Sequence, residues 1–514
     1  MFSIVFLLSS AVLFYLLTSS FAANGLRLPN VFGDGMVLQR GQDLPVWGEA
    51  APGQEVEVSL CGQKRTTETD ANGKWSLTLN PLPAGGPHEM VVRGGEIVRF
   101  KNVLIGEVWI CSGQSNMGWP LEAIINARQE IARADLPDVR LLPVPQVTAD
   151  EAQFDVDCAW SVCKPESART FSAVGYLFGR TLHQKLDVPV GLIDSSWGGT
   201  TAEAWTSRKT LESDPDFRPV LERWDKTLAA YPEAQKEHEK KRQLWEQACE
   251  KAREQGKPLP PAPPAPPGPE SPHPSALYNA MLAPIFPYGI RGAIWYQGES
   301  NGDRGYQYRK LLPAMIQDWR AAWGQGDFPF HYVQLPNYLE VNDGPVESEW
   351  AEVREAQLMT LDLPNTEMAV TIDLGEADDL HPPNKLPVAE RLARTALSKV
   401  YGRPIVATGP IYNSMSIEGA QIRIGFRRTG SGLTSRGGGP LKTFTIAGEN
   451  QNFVNAEACI EGETVVVSSR KVDDPVAVRY AWADNPPCNL YNREGLPATP
   501  FRTDDWPGVS VERL

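Results

Sequence analysis

Five short apolar runs do most to limit what this chain can fold into: residues 107–111, 190–194, 292–296, 330–335 and 368–372. Each is continuous rather than alternating, so each predicts a strand covered on both faces; an alternating run would leave one face to water. Helix-forming stretches lie between them, including 171–186, 306–323 and 347–361. Strand and helix in that rhythm predict an α/β domain around a parallel sheet. Ligand crevices of such sheets lie outside the carboxyl ends of the strands. The segments that follow the runs are therefore where chemistry is sought.

The flanks read differently. From about 27 to 105, short runs alternate with Gly, Pro and Asn72-Gly73 breaks, which predicts a small antiparallel β-sandwich. After about 403, alternating runs at 464–468 and 476–482 and the Gly437-Gly438-Gly439 turn predict a second β-rich unit. The middle domain is interrupted by a charged helical stretch at 207–255 and a proline tract at 258–274. That tract has the composition of a stiff extended spacer. The expected plan is a leader over 1–22, a β-sandwich over 23–104, an α/β domain over 105–402 with an insertion at about 207–275, and a β-rich domain over 403–514.

Residues 1–22 carry no charge, are apolar from Ile4 to Leu17, and close with Ser20-Phe21-Ala22. This predicts a secretory signal cleaved after Ala22 and a secreted or periplasmic protein, with an uncleaved anchor as the alternative because a basic n-region is missing. No later run approaches the ~20 apolar residues of a spanning helix, so no membrane association is expected after cleavage. Seven cysteines lack CxxC spacing, which gives no metal or redox motif; Cys158 and Cys163 are the first candidates for a disulfide. A net charge of −14 argues against nucleic acid as a partner. Oligomeric state is not readable.

The run at 107–111 leads into Cys111-Ser112-Gly113-Gln114-Ser115-Asn116-Met117. Ser115 stands past a strand end on a Gly-containing turn, where a hydroxyl can face a cleft. An ordinary turn has the same composition, so the residues alone leave both readings open. A serine nucleophile needs a base, and only six histidines exist. His238 and His273 lie in the insertion and are expected to be solvated. His88 is in the N-terminal unit, His183 on a helix, and His331 at the wrong end of its strand. His381 remains, in the loop after 368–372, with Asp378 three residues upstream to hold its tautomer. Two other strand ends supply donors for an oxyanion: the glycines of Ser196-Trp197-Gly198-Gly199-Thr200, and the side-chain amide of Gln297 in Gln297-Gly298-Glu299-Ser300-Asn301.

These segments, in this order, resemble the sialate O-acetylesterase family within the SGNH (GDSL-like, flavodoxin-like) hydrolases. The likeness is carried by Ser112–Met117, Trp197–Thr200, Trp295–Asn301 and Asp379-Leu380-His381-Pro382, with Met36–Arg40 and Asn489–Asn492 in support. It implies an SGNH hydrolase domain flanked by β-sandwich-like domains, acting as a serine esterase that removes O-acetyl groups from carbohydrate through an acetyl-enzyme, without metal or other cofactor. Ser115 would be the nucleophile and His381 the base. The Ser115 N–H, Gly198, Gly199 and Gln297 would form the oxyanion hole, and Gln114, Asn116 and Glu299 would support the site. The Asp-x-x-His pattern selects Asp378 as the triad acid; relatives with Asp-Ile-His-Pro make Asp379 the alternative. Trp119 and Trp205 are candidates for stacking on sugar, against the commoner role of core packing. Acetylated xylan, pectin or algal polysaccharide are rival substrates; a glycan-binding protein without turnover and a lipid esterase are rival functions.

Overall fold

The computed structural model describes residues 25–513; the leader expected over 1–22 lies outside them. Its central sheet comprises β1 (Glu96–Gly113), β2 (Leu136–Pro143), β3 (Ser161–Cys163), β4 (Val190–Ser196), β5 (Gly292–Tyr296), β6 (Phe330–Gln334) and β7 (Thr366–Val370). The strand order is β7-β6-β5-β1-β4-β2-β3. All neighbours are parallel except the short edge strand β3.

The helices that matter to the site are α1 (Ser115–Gly118), α2 (Ala173–Leu186), α3 (Arg218–Glu254), α4 (Gly305–Trp323), α5 (Glu349–Met359) and α6 (Leu386–Lys399). On one face of the sheet α2 and α6 pack against Trp109 and Cys111 of β1 and Ile294 and Tyr296 of β5. On the other, α4 and α5 pack against Val108 and Ile110 of β1 and Ala293 and Trp295 of β5. Side chains alternate between faces along a strand, so two apolar layers require the unbroken runs seen in the sequence.

No turn or linker marks the change of unit expected at 104/105. Residues of β1 up to Gly106 pair with Gly85–Gly94 and Val37–Gln39 of the N-terminal unit; from Glu107 it pairs with β4 and from Trp109 with β5. One strand thus runs through both units. Gly106 is needed where the partners change, because a Cβ there would lie 2.1 Å from the Pro189 carbonyl oxygen.

The C-terminal unit contains two four-stranded antiparallel sheets around Ile424, Val465, Phe444, Tyr480 and Phe501. It is tied to the α/β domain by Arg354 of α5. This buried guanidinium donates to the carbonyls of Leu335 (2.9 Å), Pro336 (2.6 Å), Ala483 (2.7 Å) and Asp484 (2.8 Å).

The insertion departs from expectation in two ways. The proline tract turns back along α3: Trp245 Nε1 donates to Pro260 O (2.8 Å), and His238 Nε2 lies 3.3 Å from Pro263 O. An extended Pro-rich backbone leaves its carbonyls free for such donors. His273 is not solvated but 7% exposed, stacked on Trp224 at 4.8 Å between ring centres. The disulfide expected between Cys158 and Cys163 is also absent. All seven cysteines are free thiols, and these two pack into different apolar clusters on opposite sides of the sheet.

Candidate active site

Register brings the site together. Gly113 at the end of β1 pairs with Ser196 at the end of β4 and with Tyr296 at the end of β5. The three following turns therefore leave the sheet at one level. From β1 the chain lays β2 and β3 toward one edge, returns to insert β4 beside β1, and then crosses to β5, β6 and β7 on the other side, so β1 sits where the strand order reverses and a crevice opens. Gly113 (φ +138°) could carry no side chain there, because a Cβ would lie 2.2 Å from the Tyr296 carbonyl oxygen.

Ser115 is the first residue of α1, and the Gln114 side-chain oxygen accepts the N–H groups of Ser300 (3.2 Å) and Gly298 (3.4 Å). This fastens the serine turn to the turn after β5. The loop after β7 delivers His381, whose Nε2 lies 2.8 Å from Ser115 Oγ. The indole of Trp119 stacks on the imidazole at 4.7 Å between ring centres, with 12° between the planes. Burial holds the His381 pKa below its ordinary value; the Lys385 ammonium lowers it further, and Asp379 opposes both. The ring is therefore poised as an uncharged proton acceptor.

Of the two aspartates, the structure brings Asp379 to the histidine: its Oδ1 accepts the His381 backbone N–H at 2.7 Å. Asp378, preferred on the Asp-x-x-His pattern, is exposed and makes no hydrogen bond to His381. The tight Asp-Leu-His turn draws in the residue two positions back and leaves the third facing water.

The expected oxyanion donors divide. Gly198 and Gly199 are exposed at the cleft, and a Cβ on Gly198 would lie 3.2 Å from Ser115 Cβ. Among the described residues no protein acceptor takes the N–H of Ser115, Gly198 or Gly199. Gln297 does not join them. It is fully buried; its Nε2 donates to Thr200 O (3.2 Å) and Asn301 Oδ1 (2.7 Å), and its Oε1 accepts from Tyr308 (2.8 Å). Both amide protons are engaged, so it has none for a substrate oxygen. Trp205 is likewise buried, donating to Thr200 Oγ1, and cannot stack on a sugar.

Asn116 and Glu299 lie behind the serine, with Asn116 Nδ2 donating to Glu299 Oε1 at 2.6 Å. Joined to them is Lys385, a residue with no motif signal, since a lysine after an acidic loop normally reads as surface. Among the described residues no group of three or more His, Cys, Asp or Glu side chains could hold a metal ion. No helix among them is long and apolar enough to cross a membrane.

Comparison with known proteins agrees with this architecture. A family model described as carbohydrate esterase, sialic acid-specific acetylesterase, matches residues 271–398. A carbohydrate acetylesterase from Xanthomonas citri superposes with a TM-score of 0.79 at 36% identity, covering 94% of this chain and all of that one. Fold and likeness define a carbohydrate esterase on an SGNH-type α/β domain. Sialate O-acetylesterase of Mus musculus is 31% identical, over 93% of this chain and 94% of that protein. That of Homo sapiens is 30% identical, over 95% of each. The chain belongs to the sialate O-acetylesterase family.

Proposed function

We propose that this esterase removes O-acetyl groups from carbohydrate hydroxyls, with Ser115 as nucleophile and His381 as base. The observation that carries the reading is the 2.8 Å approach of His381 Nε2 to Ser115 Oγ at the crevice end of the sheet. Ser115 Oγ attacks the acetyl carbonyl as its proton passes to His381 Nε2. The carbonyl oxygen, now an oxyanion, takes the N–H groups of Ser115, Gly198 and Gly199. Collapse breaks the bond to the sugar oxygen, which leaves with the proton from His381. Water, deprotonated by the same imidazole, then attacks the acetyl-serine; acetate departs and the serine proton returns. Asp379 is the acid favoured to support the imidazolium, because it holds the His381 backbone and its charge favours the protonated ring.

O-acetylated sialic acids are the first substrates to test, since that is what the curated relatives are named for; acetylated xylan, pectin and algal glycans are the competitors. The apolar, uncharged 1–22 segment supports export of the protein, with Ala23 as the new N-terminus. The deciding experiment is acetate release across these glycans with Ser115→Ala in parallel. A loss of roughly 10⁴-fold or more in kcat is expected for the variant. Wild-type turnover by Ser115→Ala would sink the mechanism, and binding of acetylated glycan without any acetate release would make the protein a lectin-like binder. N-terminal sequencing of the exported protein checks the cleavage site; retention of residues 1–22 would favour an anchor.

A further inference from the structure

Lys385 is the residue immediately before α6, four positions past His381, and only 1% of it is exposed. Its ammonium donates to Asn116 Oδ1 and lies 5.6 Å from the ring centre of Tyr296 and 5.9 Å from that of Trp119. The same Asn116 amide donates to Glu299 Oε1 (2.6 Å) and to the Leu380 carbonyl (3.1 Å). Asn116 directly follows Ser115, and Leu380 directly precedes His381. One asparagine therefore joins the nucleophile turn, the turn after β5 and the base loop. A cation on its oxygen and an anion on its nitrogen dictate which way the amide points.

An ammonium is costly to take out of water. Here the amide oxygen and two aromatic faces stand in for its hydration, and the Glu299 carboxylate offsets the charge from beyond ion-pair distance. Burial pulls the Lys385 pKa down to about 8, with Glu299 and Asp379 opposing, so the group is still largely charged at neutral pH. Glu299 is pushed up by burial, while Asn116 and Lys385 favour its charged form; its Oε2 is enclosed and has no hydrogen-bond partner. Neither charge is well placed without the other.

We propose that Lys385 is a positioning residue of the esterase: through Asn116 it sets the Ser115 turn against the His381 loop, and its ammonium sits beside the Trp119 ring that stacks on the imidazole. The inference rests on the reading of Ser115 and His381 given above. The groups facing His381 are the Ser115 hydroxyl from α1, the Trp119 ring, Asp379 on its own loop and Lys385 at the start of α6. Glu299 acts on Lys385. Asp373, at the head of the His381 loop, is held by Arg391 and Arg436.

The test is the pH dependence of kcat/KM on 4-nitrophenyl acetate for wild type, Lys385→Met and Lys385→Arg. Without the cation the imidazolium is less disfavoured, so the acid limb of Lys385→Met should move to higher pH. Its kcat should fall roughly tenfold to a hundredfold with KM little changed, as for a small displacement of reacting groups. Lys385→Arg keeps the charge and should keep the acid limb of wild type. An unmoved acid limb in Lys385→Met, or coincident profiles for the two variants, overturns the proposal. If Lys385→Met does not fold, Lys385→Met/Glu299→Gln leaves no buried charge alone and is read in the same way; failure of both to fold would make Lys385 a purely structural cation and overturn it too. Ser115→Ala run alongside separates the two readings, because retained turnover there defeats the nucleophile assignment whatever Lys385 does.

Discussion

Asp379→Asn replaces one carboxylate oxygen with an amide and removes the negative charge beside His381. The wild-type carboxylate accepts the His381 backbone N–H at 2.7 Å, an interaction that fixes the loop from which the imidazole reaches Ser115. A hydrogen bond to a charged group contributes about 1.5–3 kcal/mol. If that stabilisation is lost in the transition state, kcat/KM falls roughly tenfold to 150-fold. Asp378→Asn alters an exposed side chain with no bond to the histidine, and should stay within about twofold of wild type. Acetate release and 4-nitrophenyl acetate turnover, measured with both variants at matched folded fraction, give the comparison. The pH profile adds a sign. Asp379 raises the His381 pKa, so its removal should carry the acid limb to lower pH while the plateau falls, opposite to the direction expected for Lys385→Met. A larger loss for Asp378→Asn, or an Asp379→Asn variant within twofold of wild type, would refute the reasoning.

Gln297→Leu should act on stability: it strips partners from Thr200, Asn301 and Tyr308 and should cost about 2–4 kcal/mol by thermal or urea unfolding. A variant of wild-type stability with a loss of about 10²-fold or more in kcat would instead restore Gln297 as an oxyanion donor. His331 is buried on β6, 2.8 Å from Thr395 Oγ1, and burial lowers its pKa from 6.5 to about 3. The folded state thus binds fewer protons than the unfolded state across that window, so stability is intact above about 6.5 and is lost as pH falls toward 3, by up to about 4–5 kcal/mol. His331→Gln cannot take the proton, and its unfolding midpoint should fall less steeply over that range; equal slopes would refute this. Trp119→Ala removes the ring stacked on His381 and should lower kcat about tenfold, whereas Trp119→Phe should recover most of it; equal loss in both would show that the stack is dispensable.

Much of the fold could be read before any coordinates. The run at 292–296 became β5 with the same bounds, and the helices expected at 306–323 and 347–361 became α4 and α5 with ends shifted by a residue or two, or with a 3₁₀ turn closing the last stretch. β2 carries a weak signal because Leu136–Pro143 opens on an exposed proline and aspartate, and α6 because its start is masked by the Pro-rich His381 loop. Near 104/105 alternation and continuity meet inside one strand, a change of partners with no turn to mark it. Elimination among histidines found the one that reaches Ser115, since a base must lie past a carboxyl strand end and only His381 does. The same procedure misread His273, whose surroundings come from Trp224, forty-nine residues away in sequence.

What the sequence determined by itself is local or periodic: two-sided strands, polar turns after them, a serine on one and a histidine on another. Periodicity reports which faces an element buries, and strand order then places the turns at one edge. What the tertiary structure alone decided is which polar atoms meet. Asp379 rather than Asp378 approaches His381 because of the path of a three-residue turn. Gln297 is withdrawn from the cleft because Thr200, Asn301 and Tyr308 already occupy its amide. Lys385 joins the site because α6 begins against the serine turn. Hydrogen bonds are set over distances of an ångström between residues hundreds of positions apart, and no composition or spacing along one chain encodes that.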